Sequence, residues 1–209
     1  MKIAVMGSGG VGGFFGGHLA RVGHDVSFVA RGAHLQAMRE HGLKIRSAAH
    51  GDVHLIQVKV TDDPATIGPV DLILIAVKLW DLDATALALK PLVRSHTAVL
   101  SLQNGVVKDD ILRRHFGSAA VMGGVAYVAT RIDEPGVIEQ TGTLQRLIVG
   151  EYDGSRSERA ETLVDGLLRA GIDAELSLDI RRTLWEKYVF LVGLSGSTAT
   201  MRSPIGAIR

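Results

Sequence analysis

The sequence predicts an α/β fold in which a doubly wound parallel sheet is covered by helices on both faces, and three observations carry that prediction. Short β-branched runs alternate with helix-spaced segments through the first half of the chain, the pattern of βαβ units. The expected strands are almost continuously apolar, as strands buried on both faces must be. A glycine-rich loop, Gly7-Ser8-Gly9-Gly10-Val11-Gly12, stands between the first strand and the first helix.

In chain order, strands are expected at Ile3 to Met6, Val26 to Ala30, Leu72 to Val77 and Val99 to Leu102. Helices are expected at Val11 to Val22, Ala33 to His41 and Leu82 to Leu92. A hairpin is expected over Leu43 to Val60, because Gly51-Asp52 supplies turn chemistry and Val53, Leu55 and Gln57 alternate with His54, Ile56 and Val58. Beyond Val121 the pattern changes to strands at Val121 to Thr130, Gly136 to Gln140 and Leu144 to Val149, joined by Gly and Pro turns. A helix over Arg156 to Ala170 follows, and Asp179 or Ser177 can N-cap a last long helix from Ile180 to about Gly196. The domain boundary is placed near Ser177, giving a nucleotide-binding unit over residues 1–176 and the opening of a helical unit over 177–209.

Composition narrows the function classes. The 209 residues are 46% hydrophobic and 22% charged, enough for a real core, and exceed one domain of roughly 150 residues without reaching two. The formal charge is +1 and no basic run forms a stripe that could follow phosphates, so nucleic acid is not an expected partner. The absence of cysteine excludes disulfides, thiolate nucleophiles and cysteine metal sites, and fits a reducing compartment. Met1-Lys2-Ile3-Ala4-Val5 runs directly into the glycine loop, leaving no room for a signal peptide. The most apolar stretches, Leu72 to Val77 and Tyr188 to Leu194, fall far short of the ~20 residues a membrane span needs. A cytoplasmic location with no membrane partner is expected. His50 and His54 are four apart but flank a turn and lack a helical HExxH context, so no metal site is expected. Ser8, Ser101 and Ser195 lack the elbow motif of a hydrolase.

The glycine loop fits G-x-G-x-x-G in the strand-loop-helix context that dinucleotide binding requires. Gly7 would permit the tight turn, Gly9 the approach of a pyrophosphate, and Gly12 close packing of helix on strand; Ser8, Gly10 and Val11 complete the loop. At the end of the second strand, Phe28-Val29-Ala30-Arg31-Gly32 carries no carboxylate for a ribose 2′-hydroxyl. Arg31 offers instead a planar cation suited to a 2′-phosphate, which points to NADP (NADPH). Lys78 and Asn104 follow the third and fourth expected parallel strands, where loops form a ligand crevice; each also reads as an ordinary strand-end residue.

In the last helix, Ile180, Leu184, Lys187, Tyr188, Leu191 and Ser195 fall on one side. Lys187 among them either snorkels to a carboxylate or lies partly buried with a lowered pKa, in which case it can protonate a carbonyl oxygen. Phe190 to Leu194 is apolar around the helix, which predicts a buried helix or a subunit interface.

Taken together, the glycine loop, Val29-Ala30-Arg31-Gly32, Ala76-Val77-Lys78, Gln103-Asn104-Gly105 and Leu184-Trp185-Glu186-Lys187 resemble the ketopantoate reductase family, the NADPH-dependent 2-dehydropantoate 2-reductases of pantothenate biosynthesis. The resemblance spans nearly the whole chain. It implies a Rossmann-type domain followed by the start of an all-helical second domain, hydride transfer from NADPH to a small-molecule 2-oxo acid, and a homodimer through the helical domain. It implies Lys187 as the general acid and Asn104 beside nicotinamide and substrate. Arg31 and Lys78 would stand on the adenosine phosphate side, with a cofactor contact at the backbone of Ala129. Two departures qualify it. Leu191 and Ser195 stand where the pantoate enzymes carry substrate-binding asparagines, leaving Ser195 as the only polar substrate contact of the two and pointing to a different 2-oxo acid. The chain also ends early in the family's helical domain, before the helices that carry its substrate-orienting serine and glutamate. Two other readings are an NADP-binding protein or fragment without turnover, and a relative of the β-hydroxyacid dehydrogenases with a helical-domain lysine.

Overall fold

A computed structural model describes residues 1–208. The chain begins with β1 (Lys2–Met6), α1 (Gly10–Arg21), β2 (Asp25–Val29) and α2 (Gly32–His41). A hairpin of β3 (Leu43–Ser47) and β4 (Val53–Leu55) comes next, then β5 (Lys59–Thr61), β6 (Leu72–Ile75), α3 (Leu82–Leu89), β7 (Ala98–Ser101) and α4 (Lys108–Phe116). The remainder is β8 (Val121–Glu134), β9 (Val137–Gly150), α5 (Glu158–Arg169), β10 (Asp173–Leu176), α6 (Ile180–Met201) and α7 (Ile205–Ile208).

The strands form one curled sheet whose first half has the order β5-β2-β1-β6-β7-β8 with every neighbour parallel. Numbered within that half, this is the 3-2-1-4-5-6 order of a Rossmann-type fold, with the order reversing between β1 and β6. The apolar runs of the central strands serve two cores at once, because side chains alternate across the sheet. Ile3, Val5, Leu72, Leu74 and Leu100 pack under α1 and α5 with Phe14, Phe15 and Leu167. Ala4, Met6, Ile73, Ile75 and Val99 pack on the other face with Leu82, Leu89 and Leu112 of α3 and α4.

The sheet is mixed where the sequence suggested a parallel one followed by separate strands. β8 pairs with β7 only at Val121 and Met122, then curls away and folds back antiparallel as β9 through Pro135-Gly136. Gly136 to Gln140 and Leu144 to Val149, expected as two strands, are one strand with Gly142 at φ 71 in a bulge between Gln140 and Gln145. The hairpin around Gly51 forms, with the Ser47 amide donating to the Asp52 carboxylate, but ends at Leu55. Lys59 and Val60 leave it to pair with β2 as the edge strand β5, while β3 joins β9 on the far side. Local alternation could not separate these partners, since both pairings are made by distant strands.

Three elements differ further. α3 ends at Leu89 because Pro91 lacks the amide needed to continue the helix, and a 3-10 turn occupies Lys90–Leu92. Apolar periodicity predicts neither α4 nor β10: α4 has few apolar positions and no side-chain cap, and β10 is four residues recruited by pairing with β9. The one local signal for α4 is charge, with Asp109 and Asp110 in its first turn and Arg113, Arg114 and His115 in its last, complementing the helix dipole. α6 begins as expected on Asp179, whose carboxylate accepts from the Arg182 amide, and continues past Gly196 to Met201. Among the described residues no helix is long and apolar enough to cross a membrane.

Candidate active site

A cleft of about 360 Å³ opens at the carboxyl ends of β1, β2 and β6, where the strand order reverses. Gly7, Ser8, Gly9, Arg31, His34 and Val77 are among its walls. Gly7 turns the chain from β1 into α1 at φ 90, and a Cβ there would lie 2.9 Å from the Val77 amide nitrogen. The first intrahelical bond runs from Gly13 to the Gly9 carbonyl, so the amides of Gly10, Val11 and Gly12 have no helical acceptor. No side chain caps this end and no acidic residue stands in the first turn, leaving its positive pole open to an anion. The donor set therefore fits a dinucleotide pyrophosphate.

The glycines have separable jobs. A Cβ on Gly12 would sit 2.2 Å from the Gly7 carbonyl, whereas one on Gly9 meets only the Ile132 Cδ1 at 4.0 Å. Gly12→Ala is expected to destabilise the fold by about 1–3 kcal/mol through overpacking. Gly9→Ala should change unfolding midpoints little while weakening dinucleotide binding at least about tenfold, because its methyl occupies the approach to the amides. Chemical denaturation and fluorescence titration with NADPH measure the two effects; unchanged binding by Gly9→Ala would contradict its assignment.

The loop is held from behind by contacts the sequence did not reveal. Ser8 donates its amide (3.1 Å) and its hydroxyl (3.0 Å) to the Val29 carbonyl, tying the loop to β2. His34 of α2 accepts from the Gly136 amide at Nδ1 (3.0 Å), so its Nε2 carries the proton donated to the Ser8 carbonyl (2.8 Å). Burial holds the His34 pKa below the usual imidazole range, in keeping with this neutral tautomer.

The other sequence candidates divide between this cleft and its neighbours. Arg31 is exposed on the cleft wall at the N-cap of α2, with no hydrogen bond or ion pair to its guanidinium among the described residues. Lys78 is exposed at the exit of β6, but the wall there is formed by Val77 and Asp81. In the Gln103-Asn104-Gly105 loop, Gln103 is the structural tie: its amide donates to the Val77 carbonyl (2.8 Å), joining the exits of β6 and β7. Asn104 is exposed and held out by the Gly105 turn at φ 97. Ala129 is exposed where the β8–β9 register skips between Val128 and Thr130, an irregularity typical of sheet positions beside functional sites.

Lys187 lies half-buried on α6, and its ammonium donates to the Ala126 carbonyl of β8 and stands 5.2 Å from the centre of the Tyr127 ring. No carboxylate pairs with it among the described residues. Desolvation, and then the positive charge of Lys108, lowers its pKa to about 8. Ile180 and Leu184 of the same helical face are buried, Leu191 is half-buried, and Ser195 is exposed about 12 Å further along the axis. The apolar stretch Phe190 to Leu194 is not buried within this chain: Phe190 and Val192 are 61% and 52% exposed.

Beneath Lys187 is a buried polar cluster that sequence reading missed. Lys108 is fully buried at the start of α4, and its Nζ donates to the Ser101 carbonyl (2.9 Å), the Gly124 carbonyl (3.3 Å) and the Asp109 carboxylate (3.1 Å). The Tyr152 hydroxyl donates to the same carboxylate, while the Arg113 guanidinium stacks 3.6 Å above the Tyr152 ring. A Lys-Asp pair in a charged segment reads as solvated surface until the fold buries it.

A parallel sheet in this order, with a glycine-cradled cleft at the reversal, defines the class of Rossmann-type dinucleotide-binding folds. Residues 3–154 match the family described as Ketopantoate reductase PanE/ApbA. The chain belongs to the ketopantoate reductase family. It is 32% identical to the 2-dehydropantoate 2-reductase of Pyrococcus horikoshii over 209 residues, covering the whole chain and 67% of that protein. The crystal structure of 2-dehydropantoate 2-reductase from Geobacter metallireducens superposes with a TM-score of 0.92 at 34% identity, over all of this chain and 68% of that one. D-mandelate dehydrogenase, in a ternary structure with NADH and anilino(oxo)acetate, superposes with a TM-score of 0.80 at 25% identity, over 90% of this chain and 60% of that one. The chain thus spans about two thirds of the length of the reductases it matches.

Proposed function

We propose that this protein is an NADPH-dependent reductase of a 2-oxo acid, acting on 2-dehydropantoate or a related acid. The observation that carries the proposal is Lys187: an ammonium held by one carbonyl, with no carboxylate partner among the described residues and a pKa near 8. Such a group has protons to give at neutral pH and a modest cost in giving them. A nicotinamide cofactor, when bound, would supply the hydride. Ser8, Gly9 and the open amides of α1 hold the pyrophosphate, and the exposed Arg31 supports a 2′-phosphate contact that NADH does not offer. Lys187 releases a proton from Nζ to the ketone oxygen, and Asn104 at the exit of β7 orients the substrate. Lys78 and the backbone at Ala129 are assigned to the cofactor, and Ser195 to the substrate. The apolar Leu191 supports a 2-oxo acid other than ketopantoate, since it offers no hydrogen bond.

Loss of NADPH absorbance on adding ketopantoate and a series of 2-oxo acids tests the reaction. NADPH binding with no turnover on any of them would overturn it in favour of a cofactor-binding protein. Arg31→Ala is expected to weaken NADPH binding about tenfold or more and leave NADH binding unchanged, because only the former loses a charge-assisted contact. Equal losses for both would remove the 2′-phosphate assignment.

A further inference from the structure

The buried cluster beneath Lys187 has a strict hydrogen-bond arithmetic. An ammonium has three N–H groups and no acceptor, and the Lys108 Nζ faces three acceptor groups: the Ser101 and Gly124 carbonyls and the Asp109 carboxylate. A neutral amine would leave one oxygen without a proton and turn its lone pair towards it. Burial pushes the Lys108 pKa down, but the adjacent Asp109 carboxylate opposes this, and the acceptor set selects the charged form.

The position of that charge matters. β7 and β8 pair at Val99–Val121 and Leu100–Met122 and then separate. Ser101 is the next residue of β7, and Gly124 lies just beyond the separation on β8. Lys108 therefore bridges the opening between the two strands. Ala126, two residues after Gly124, turns its carbonyl to the same side of the strand and receives Lys187. Two ammonium groups thus occupy successive carbonyls along the β8 edge that β7 has left, one sealed in the core and one half-buried.

We propose that Lys108 is a positioning residue that locks the strand edge carrying Lys187 to the loop carrying Asn104, and that its fixed positive charge sets the protonation range of Lys187. The inference rests on the reading of Lys187 as the proton donor. Its chemistry is that of like charges: a cation retained beside a second ammonium makes the second easier to deprotonate. The groups facing Lys187 are Lys108 from α4 and the Tyr127 ring from β8, while Glu186 on its own helix is engaged by Arg182. Those facing Lys108 are Asp109, Arg113 and, through Asp109, Tyr152.

The test is a pH titration of the Lys187 side chain by NMR on lysine-labelled protein, its signal assigned by its loss in Lys187→Arg. The wild-type midpoint is expected near 8. In Lys108→Met it should rise by about one pH unit, and in Lys108→Arg, which keeps the charge, it should stay near the wild-type value. Lys108→Gln, which removes the charge while its amide still donates to the Asp109 carboxylate, provides the same reading if the Met variant does not fold. An unmoved midpoint in a folded Met variant, or an equal rise in the Arg variant, overturns the proposal. The measurement needs no turnover, so its failure is distinct from that of the reductase reading: Lys187→Ala with full activity would sink the latter whatever the titration shows.

Discussion

Replacing Lys187 with alanine is expected to lower kcat about a hundred- to ten-thousand-fold while leaving NADPH affinity unchanged, the loss characteristic of removing a general acid. The affinity should survive because Lys187 is held on β8, whereas the glycine loop and Arg31 line a cleft that Lys187 does not enter. A pH dependence accompanies it. With a pKa near 8, Lys187 is protonated at neutral pH and loses its proton as the solution becomes more basic, so kcat/KM should fall through about pH 8. Lys187→Arg, which stays protonated over this range, should remove that basic limb along with most of the activity. Steady-state assays across pH, paired with fluorescence titration of NADPH, check both; a basic limb that persists in the arginine variant would assign it to another group.

The second large effect is on stability. Asp109→Ala should cost about 3–5 kcal/mol, because it strands the fully buried Lys108 ammonium without its counter-charge and deprives the Tyr152 hydroxyl of its acceptor. The sign of the pH dependence follows from the direction of the Lys108 shift. Burial depresses its pKa in the folded state, and removing Asp109 depresses it further. Between that lowered value and the ordinary lysine range the unfolded chain binds more protons than the folded one, so the variant gains stability as pH rises through this interval. Urea denaturation at neutral and alkaline pH measures it. A variant equally stable at both pH values, or no less stable than wild type, would show that the pair is not coupled as its geometry implies.

The features legible in the sequence are those whose physical constraints are local. The strand-loop-helix glycine motif could be read because a positive φ at Gly7 and the close approach of Gly12 to the Gly7 carbonyl are demands on neighbouring residues. The continuous apolar runs of β1, β6 and β7 could be read because each strand serves two cores. Asp179 signalled the start of α6 through its own cap. By contrast, no local pattern distinguishes a strand that completes the hairpin from one that joins β2, and Lys59 and Val60, expected in the hairpin, pair with β2. β10 exists because β9 offers it an edge.

The same division runs through the candidate site. Periodicity placed Lys187 on the inward side of a helix, alongside Ile180 and Leu184, but left two fates open, a surface ion pair or partial burial. The fold selected the second, because the β8 edge that parts from β7 presents the Ala126 carbonyl at that point. Lys108, Asp109, Tyr152 and His34 carry no sequence signature at all: their burial, their hydrogen-bond partners and the tautomer of His34 depend on segments from 16 to 102 residues away. Backbone conformation and the two-faced hydrophobic pattern were determined by the sequence alone, since they arise from neighbouring residues. The charge states that matter for proton transfer were decided by tertiary structure, because desolvation and Coulomb interaction depend on distance in space rather than along the chain.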